Sequence, residues 1–68
     1  MNETIIKVGG MSCQKCVASV SGALHSVPGV AAVAVSLEAG EAKVSYDPGL
    51  ASLEALRGAV EDAGFDAA

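Results

Sequence analysis

The two cysteines of the chain, Cys13 and Cys16, are the residues best suited to chemistry, because they stand three positions apart. They follow a run that predicts a β-strand, residues 4–8, and precede a run that predicts an α-helix. Two thiols at that spacing, at a junction between a loop and a helix, can converge on one small atom. The partial positive charge at a helix N-terminus lowers a thiol pKa and favours the thiolate, which is the form that binds metal. Because soft thiolates select Cu(I), zinc and iron–sulfur centres, the spacing predicts a soft-metal site with two sulfur ligands.

The number of available ligands separates the candidate metals. A structural zinc site is closed by four ligands, whereas the chain offers two cysteines and one histidine. His25 follows Cys16 by nine residues, which is roughly 13 Å along a helix and about half a turn out of phase. It cannot close the site within one molecule, and we expect it to interact as a cation with the C-terminal end of the helix dipole. Cu(I) and Hg(II) accept two sulfurs, so we expect Cu(I), with Hg(II) as the alternative and Zn(II) less favoured.

The residues of the loop also have purely structural interpretations. Free cysteine packs well in protein interiors, so Cys13 and Cys16 could be ordinary buried thiols. Met11 has a thioether that could bind Cu(I), although we favour its side chain as a hydrophobic anchor under the loop. Lys15 could stabilise an anionic pair of thiolates or guide a partner, or it could be a solvated lysine with no special role.

The Cys-x-x-Cys spacing is also found in dithiol oxidoreductases, and this is the enzyme alternative. Thioredoxin-like folds need a longer chain and a cis-proline facing their motif. Here Pro28 and Pro48 both fall in predicted turns, so neither is an evident counterpart. We therefore expect that the chain is not an enzyme, and a structural interaction module remains the third class.

Composition excludes two further classes of function. The net charge is −4 and only four residues are basic, which does not make the basic patch of a nucleic-acid binder. No apolar run approaches the ~20 residues needed to span a bilayer, and residues 1–4 lack the charged and apolar regions of a signal peptide. We expect a single cytoplasmic domain over residues 1–68, in a reducing compartment where both cysteines stay thiols.

The first half of the chain predicts the strand and helix that flank the cysteines. Alternation of Thr4, Ile6 and Val8 with Ile5 and Lys7 is typical of a half-buried strand. Ser12 is the expected N-cap of a helix over residues 13–26, which ends at Pro28-Gly29. The helix carries one apolar stripe, formed by Cys16, Val20, Leu24 and Val27.

The second half predicts two strands joined by a turn, then a helix and a short last strand. The expected elements are a strand over 30–37 with Val33, Val35 and Leu37 on one face, a turn at 38–40, a strand over 42–46, a helix over 53–63 capped by Ser52, and a strand over 65–68. This order predicts an α+β, ferredoxin-like βαββαβ sandwich, a four-stranded antiparallel sheet in order 4-1-3-2 with two helices on one face. Gly22 and Gly58 each cost a helix roughly 1 kcal/mol against alanine, from which we predict close backbone approach at both.

Four segments of the chain resemble the heavy-metal-associated domain family: Gly10–Cys16, Val27–Val30, Tyr46–Pro48 and Glu61–Phe65. The resemblance covers nearly the whole chain, and a Met-x-Cys-x-x-Cys motif after a strand is fairly specific in this order of elements. The family includes small bacterial copper chaperones, which pass Cu(I) to copper-transporting P-type ATPases. It also includes the N-terminal domains of those pumps and mercury-binding proteins.

The resemblance implies a function and a set of site residues. We expect a copper chaperone that binds one Cu(I) through Cys13 and Cys16 and hands it to the metal-binding domain of a copper-transporting P-type ATPase. Zinc-handling members are thought to carry an acidic residue beside the motif, whereas this chain has Gly10, Met11 and Ser12 there. Phe65 should lie near the metal loop. The alternatives are a pump domain and a Hg(II)-binding protein, and we expect a monomer or a metal-bridged dimer.

Overall fold

The computed structural model describes residues 2–67, and its elements follow the predicted β-α-β-β-α-β order. They are β1 (Asn2–Gly9), α1 (Gln14–His25), β2 (Val30–Ser36), β3 (Glu41–Tyr46), α2 (Leu53–Asp62) and β4 (Asp66–Ala67). The predicted last strand is confirmed at its two central positions, while Ala68 lies outside the described residues. Between residues 2 and 67, neither helix has the length and apolar composition that crossing a membrane requires.

The four strands form one antiparallel sheet in the order β2-β3-β1-β4, which is the predicted order 4-1-3-2 read from the other edge. The central strand β1 pairs with β3, where Ile6 lies opposite Ala42, and with β4, where Gly9 lies opposite Asp66. Both neighbours therefore hold β1, and the cysteine loop leaves the sheet directly after β1 ends.

The two helices pack on one face of the sheet and enclose a single hydrophobic core. The predicted alternation in β1 is confirmed, because Ile6 and Val8 are buried while Ile5 and Lys7 are exposed. The side chains buried most completely are Ile6, Val20, Leu24, Val44, Leu56 and Val60. The apolar stripe of α1 thus ties the helix that begins at the cysteines to the centre of the core.

Gly29 fixes the end of the sheet opposite the cysteine loop. Its φ of +95° lies in the left-handed region, and a Cβ atom at this position would stand 2.7 Å from Cβ of Leu50. Its carbonyl accepts a hydrogen bond from the Asp47 amide at 2.8 Å, which ties the end of α1 to the loop before α2. Only glycine satisfies both the backbone conformation and the space available.

Two expectations about small features are wrong. A Cβ atom built at Gly22 or Gly58 meets no atom within 4 Å, so neither glycine allows a close backbone approach. Their outer surfaces face open space, and Gly58 borders a shallow groove between the two helices. Leu37 lies in the turn that follows β2 and not in the strand, because β2 ends at Ser36, whose hydroxyl accepts a hydrogen bond from the Ala39 amide.

Candidate metal centre

The cysteine loop joins the end of β1 to the first turn of α1. Cys13 is the N-cap of α1, with the extended backbone angles φ −156° and ψ 172°. Its carbonyl accepts hydrogen bonds from the amides of Cys16 and Val17, at 3.1 and 3.2 Å. The predicted N-cap role of Ser12 is therefore wrong, because the first helical turn closes on the carbonyl of the following residue. The Cys13 side chain makes no capping hydrogen bond.

The two sulfur atoms lie side by side at this helix terminus. Sγ of Cys13 and Sγ of Cys16 are 3.3 Å apart and share a hydrogen bond. That separation is much longer than the ~2.05 Å of a disulfide, so both residues are free thiols. Cys13 is exposed and Cys16 is half-buried, as expected for one cysteine on a loop and one at the start of the buried stripe.

The surroundings of Cys16 favour its thiolate. The backbone of Ser12 is the main cause that lowers the pKa of Cys16 below its usual value, and the Cys13 side chain is the second. Partial burial opposes them, and smaller contributions from the Cys13 backbone and the Ser12 hydroxyl add to the lowering. The loop therefore directs hydrogen-bond donors at a sulfur that must be deprotonated to bind a metal.

Met11 and Phe65 support the loop from the side of the core. Both are partly buried and pack against the hydrophobic cluster. Phe65 also lies beside the loop, since its Cδ1 is 3.6 Å from the position that a Cβ atom would occupy at Gly10. Gly10 has a φ of +95°, so the chain turns there, beside the phenyl ring, in a backbone conformation that glycine adopts readily.

The remaining residues singled out from the sequence lie further from the sulfurs or in solvent. Lys15 is exposed on the first turn of α1, next to Cys16. His25 is the last residue of α1, so the length of the helix separates it from the thiols. Within residues 2–67, no group of three or more His, Cys, Asp or Glu side chains converges in a way that could hold a metal ion.

This arrangement offers one ion two sulfur ligands on an exposed surface. A bond between zinc and a thiolate is about 2.3 Å, so two sulfurs on one ion of that size are at most about 4.6 Å apart. The 3.3 Å separation seen here lies within that limit. Cys13 is exposed, so its sulfur is the one that solvent or a second protein can approach.

Sequence reasoning found the two thiols and missed the Ser12 backbone, which is the main cause of the lowered pKa of Cys16. The cysteine spacing can be read directly from the sequence, because Cys13 and Cys16 are the only thiols of the chain. A backbone amide is common to almost every residue, so no letter of the sequence marks the one that is aimed at a thiol. The clue that was available is the Gly9-Gly10 pair, which indicates a loop with unusual backbone angles.

Known proteins resemble the chain over nearly its full length. The copper chaperone CopZ of Bacillus subtilis (strain 168) is 43% identical over 68 residues, which cover 100% of this chain and 99% of CopZ. A crystal structure of a copper binding domain from HMA7, a P-type ATPase, has a TM-score of 0.98 and 40% identity, and the match covers 100% of this chain and 92% of that one.

A much larger protein also matches. The copper-transporting ATPase 1 of Mus musculus is 46% identical over 66 residues, which cover 97% of this chain and about 4% of the ATPase. The chain therefore spans a small part of this relative and almost all of CopZ. The heavy-metal-associated domain family matches residues 5–66, and the chain belongs to that family.

Proposed function

We propose that this chain is a copper chaperone, which binds one Cu(I) through Cys13 and Cys16 and hands it to the metal-binding domain of a copper-transporting P-type ATPase. The observation that carries the proposal is the pair of free sulfurs at a helix N-terminus, 3.3 Å apart, of which Cys13 is exposed. Soft thiolates select Cu(I), zinc and iron–sulfur centres, and of these Cu(I) accepts two sulfur ligands. Relatives named for copper match the chain at 43% and 46% identity, and these matches support copper over Hg(II) and Zn(II).

The transfer follows from the low number of ligands. An ion held by two sulfurs has room for a third, so a thiolate of the acceptor can add before a sulfur of the donor leaves. Cys13 is the exposed ligand and the first to be released, while Cys16 is held at the start of the buried stripe. The ion then never passes through water as a free species, and Lys15 adds a positive charge that attracts an acidic acceptor.

Metal binding is tested by competition of the protein with a Cu(I) chelator under anaerobic conditions. Cys13→Ser and Cys16→Ser are each expected to abolish tight binding, because one sulfur alone cannot hold the ion. Met11→Leu is the matched control, since it removes the thioether at similar volume while leaving both thiols in place. Full affinity in either serine variant would contradict the two-sulfur site, and a loss in Met11→Leu would make Met11 a ligand.

Direct transfer is tested by mixing the copper-loaded protein with the metal-binding domain of a copper ATPase. A chelator that captures free Cu(I) is present in one arm and absent in the other. We expect the acceptor to receive copper at the same rate in both arms. If the chelator intercepts all the copper before the acceptor receives it, handover is wrong and the protein acts as a copper buffer.

The second candidate is a metal-binding domain within a copper pump, which the match to the mouse ATPase favours. Both candidates bind Cu(I) in the same way. They differ in whether the domain is a separate protein or part of a longer chain. The coding sequence on both sides of this segment separates them, because a pump continues into membrane-spanning helices. Titration of the protein with Cu(I), Hg(II) and Zn(II) in competition tests the choice of metal in either case.

A further inference from the structure

The face of the sheet that the helices leave uncovered carries an ordered pattern of side chains. In β1, exposed residues alternate with more buried ones, and the exposed residues on the uncovered face are Glu3, Ile5 and Lys7. Ile5 is 55% exposed, and among residues 2–67 only one other large hydrophobic side chain, Leu50, is as exposed. We call this surface of β1 and its neighbour β3 the open face.

The charges of the open face cancel one another. Lys7 Nζ lies 2.8 Å from Oε2 of Glu41, and Lys43 Nζ lies 3.4 Å from Oε1 of Glu3. These four residues contribute no net charge, so the net charge of −4 comes from the rest of the chain. Asp66 lies on the same side, because it pairs with Gly9, two positions beyond Lys7. Two copies of this acidic chain can therefore bring their open faces together without opposing a net charge from these four residues.

The order of the charges on β1 is antisymmetric about Ile5, with a carboxylate two residues before it and an ammonium group two residues after it. We propose that the open face associates with the open face of a second copy, with the two β1 strands antiparallel across a two-fold axis. Ile5 then meets Ile5 of the second copy, and Glu3 meets Lys7 of the second copy twice, as an isologous contact requires.

The side chains of β3 fit the same arrangement. Lys43 lies opposite Ile5 in the sheet, so the two copies of Lys43 start near the axis. Each is drawn away from the axis toward Glu3 of its own chain. Each end of the contact then holds Glu3 and Lys43 of one copy with Lys7 and Glu41 of the other, and its formal charge is zero.

The size of the face sets the strength of the association. The two largest extents of the molecule, 32 and 19 Å, limit the contact to roughly 600 Å² per copy, below the ~800 Å² per partner of a standard stable interface. We expect a weak dimer with a dissociation constant on the order of 0.1–1 mM. It needs no metal and is therefore distinct from a dimer in which two copies share one copper ion.

The first test is sedimentation equilibrium from 10 µM to 1 mM on the metal-free Cys13→Ser/Cys16→Ser chain, in which no copper bridge forms. We expect dimers at the top of this range. Ile5→Glu should lower the association constant at least tenfold, because it places two carboxylates on the axis. Leu50→Glu is the matched control, since Leu50 is 69% exposed and lies in the loop after β3. A monomer at 1 mM, or equal effects of the two substitutions, overturns the proposal.

The second test is charge rescue between two variants. Glu3→Lys and Lys7→Glu should each weaken self-association, because each places like charges opposite each other at both ends of the contact. Mixed together, the two variants place lysines opposite glutamates at both ends, and we expect a heterodimer at least as tight as the unsubstituted dimer. Circular dichroism checks that both variants are folded. If the mixture associates no more than the separate variants do, the antiparallel arrangement is wrong.

Discussion

At the scale of single residues, the lowered pKa of Cys16 comes mainly from the backbone around it. The Ser12 backbone and the Cys13 side chain lower its pKa, and partial burial opposes them. The spacing of the cysteines was enough to predict the pair, because the first turn of any helix brings positions three apart together. The donors at the sulfur could not be predicted, because they depend on the loop geometry that the N-cap at Cys13 creates.

The lowered pKa predicts how alkylation of Cys16 depends on pH. The thiolate reacts with iodoacetamide, so in the folded protein the rate at Cys16 should rise with a midpoint below the ~8.5 of a free thiol. In urea the midpoint should return to about 8.5. Mass spectrometry of the alkylated peptides separates the two cysteines. Cys13→Ser should keep the midpoint low, because the Ser12 backbone is the main cause; equal midpoints in folded and unfolded protein would contradict this account.

The same shift links the stability of the metal-free protein to pH. Since the folded pKa of Cys16 is the lower one, the unfolded chain binds more protons between the two pKa values. The contribution to the free energy of unfolding is therefore fully present above about pH 8.5, and it is lost as pH falls through the folded pKa. Urea denaturation of the protein and of Cys16→Ser should show a pH-dependent difference that follows this direction.

At the scale of elements, glycines at turns and glycines in helices have opposite effects on the free energy of unfolding. Gly29 has a positive φ and no room for a Cβ atom. We expect Gly29→Ala to lower the free energy of unfolding by roughly 2–4 kcal/mol, from backbone strain and overlap with Leu50. Urea denaturation measures the change. An effect below about 1 kcal/mol would show that the loop after β3 moves aside freely.

Gly22→Ala and Gly58→Ala are the matched controls, since they make the same chemical change inside helices. Both positions have open space around a Cβ atom, and alanine costs a helix less conformational entropy than glycine. We expect each substitution to raise the free energy of unfolding by about 0.5–1 kcal/mol. Destabilisation by either one would mean that the space around that position is not open and that the added methyl group clashes with a neighbour.

The helices and strands could be predicted from the Gly and Pro residues that end them and from the spacing of their apolar residues. Strands and helices end at Gly9-Gly10, Pro28-Gly29 and Gly64. The inner face of α1 is identified by the apolar stripe that contains Val20 and Leu24. The surroundings of small residues on the outer helix faces cannot be predicted from such patterns. Whether a glycine such as Gly22 faces a neighbour or solvent depends on the distance between elements, and that distance is fixed only when the helices pack.

At the scale of the whole molecule, the site and the core are joined through α1 and the strand before it. Val20 and Leu24 are fully buried, and Phe65 packs against the core beside the loop. Strand β1 pairs with β3 as far as Lys7 and with β4 at Val8 and Gly9. A chain of 68 residues buries only about 60% of its unfolded surface, so its stability margin is small. We therefore expect an ion bound by Cys13 and Cys16 to add a contribution that is large compared with this margin.

The prediction at this scale is a large thermal stabilisation with little change in structure. A ligand that binds only the folded state at a thousand times its dissociation constant adds about 4 kcal/mol. For a domain of this size, that corresponds to a rise in Tm of roughly 15–30 °C, since each kcal/mol is worth about 4–8 °C. Calorimetry of the protein with and without Cu(I) measures the rise.

The control and the second readout separate binding at the two thiols from binding elsewhere. The Cys13→Ser/Cys16→Ser chain should show no rise in Tm on addition of Cu(I), because its loop has no sulfur ligands at these positions. In amide spectra, we expect shifts confined to residues 10–17 and the neighbourhood of Phe65, because β1 and α1 already hold the thiols together. Shifts spread across β2 and β3 would mean that copper reorganises the sheet, and the loop would then not be formed in advance.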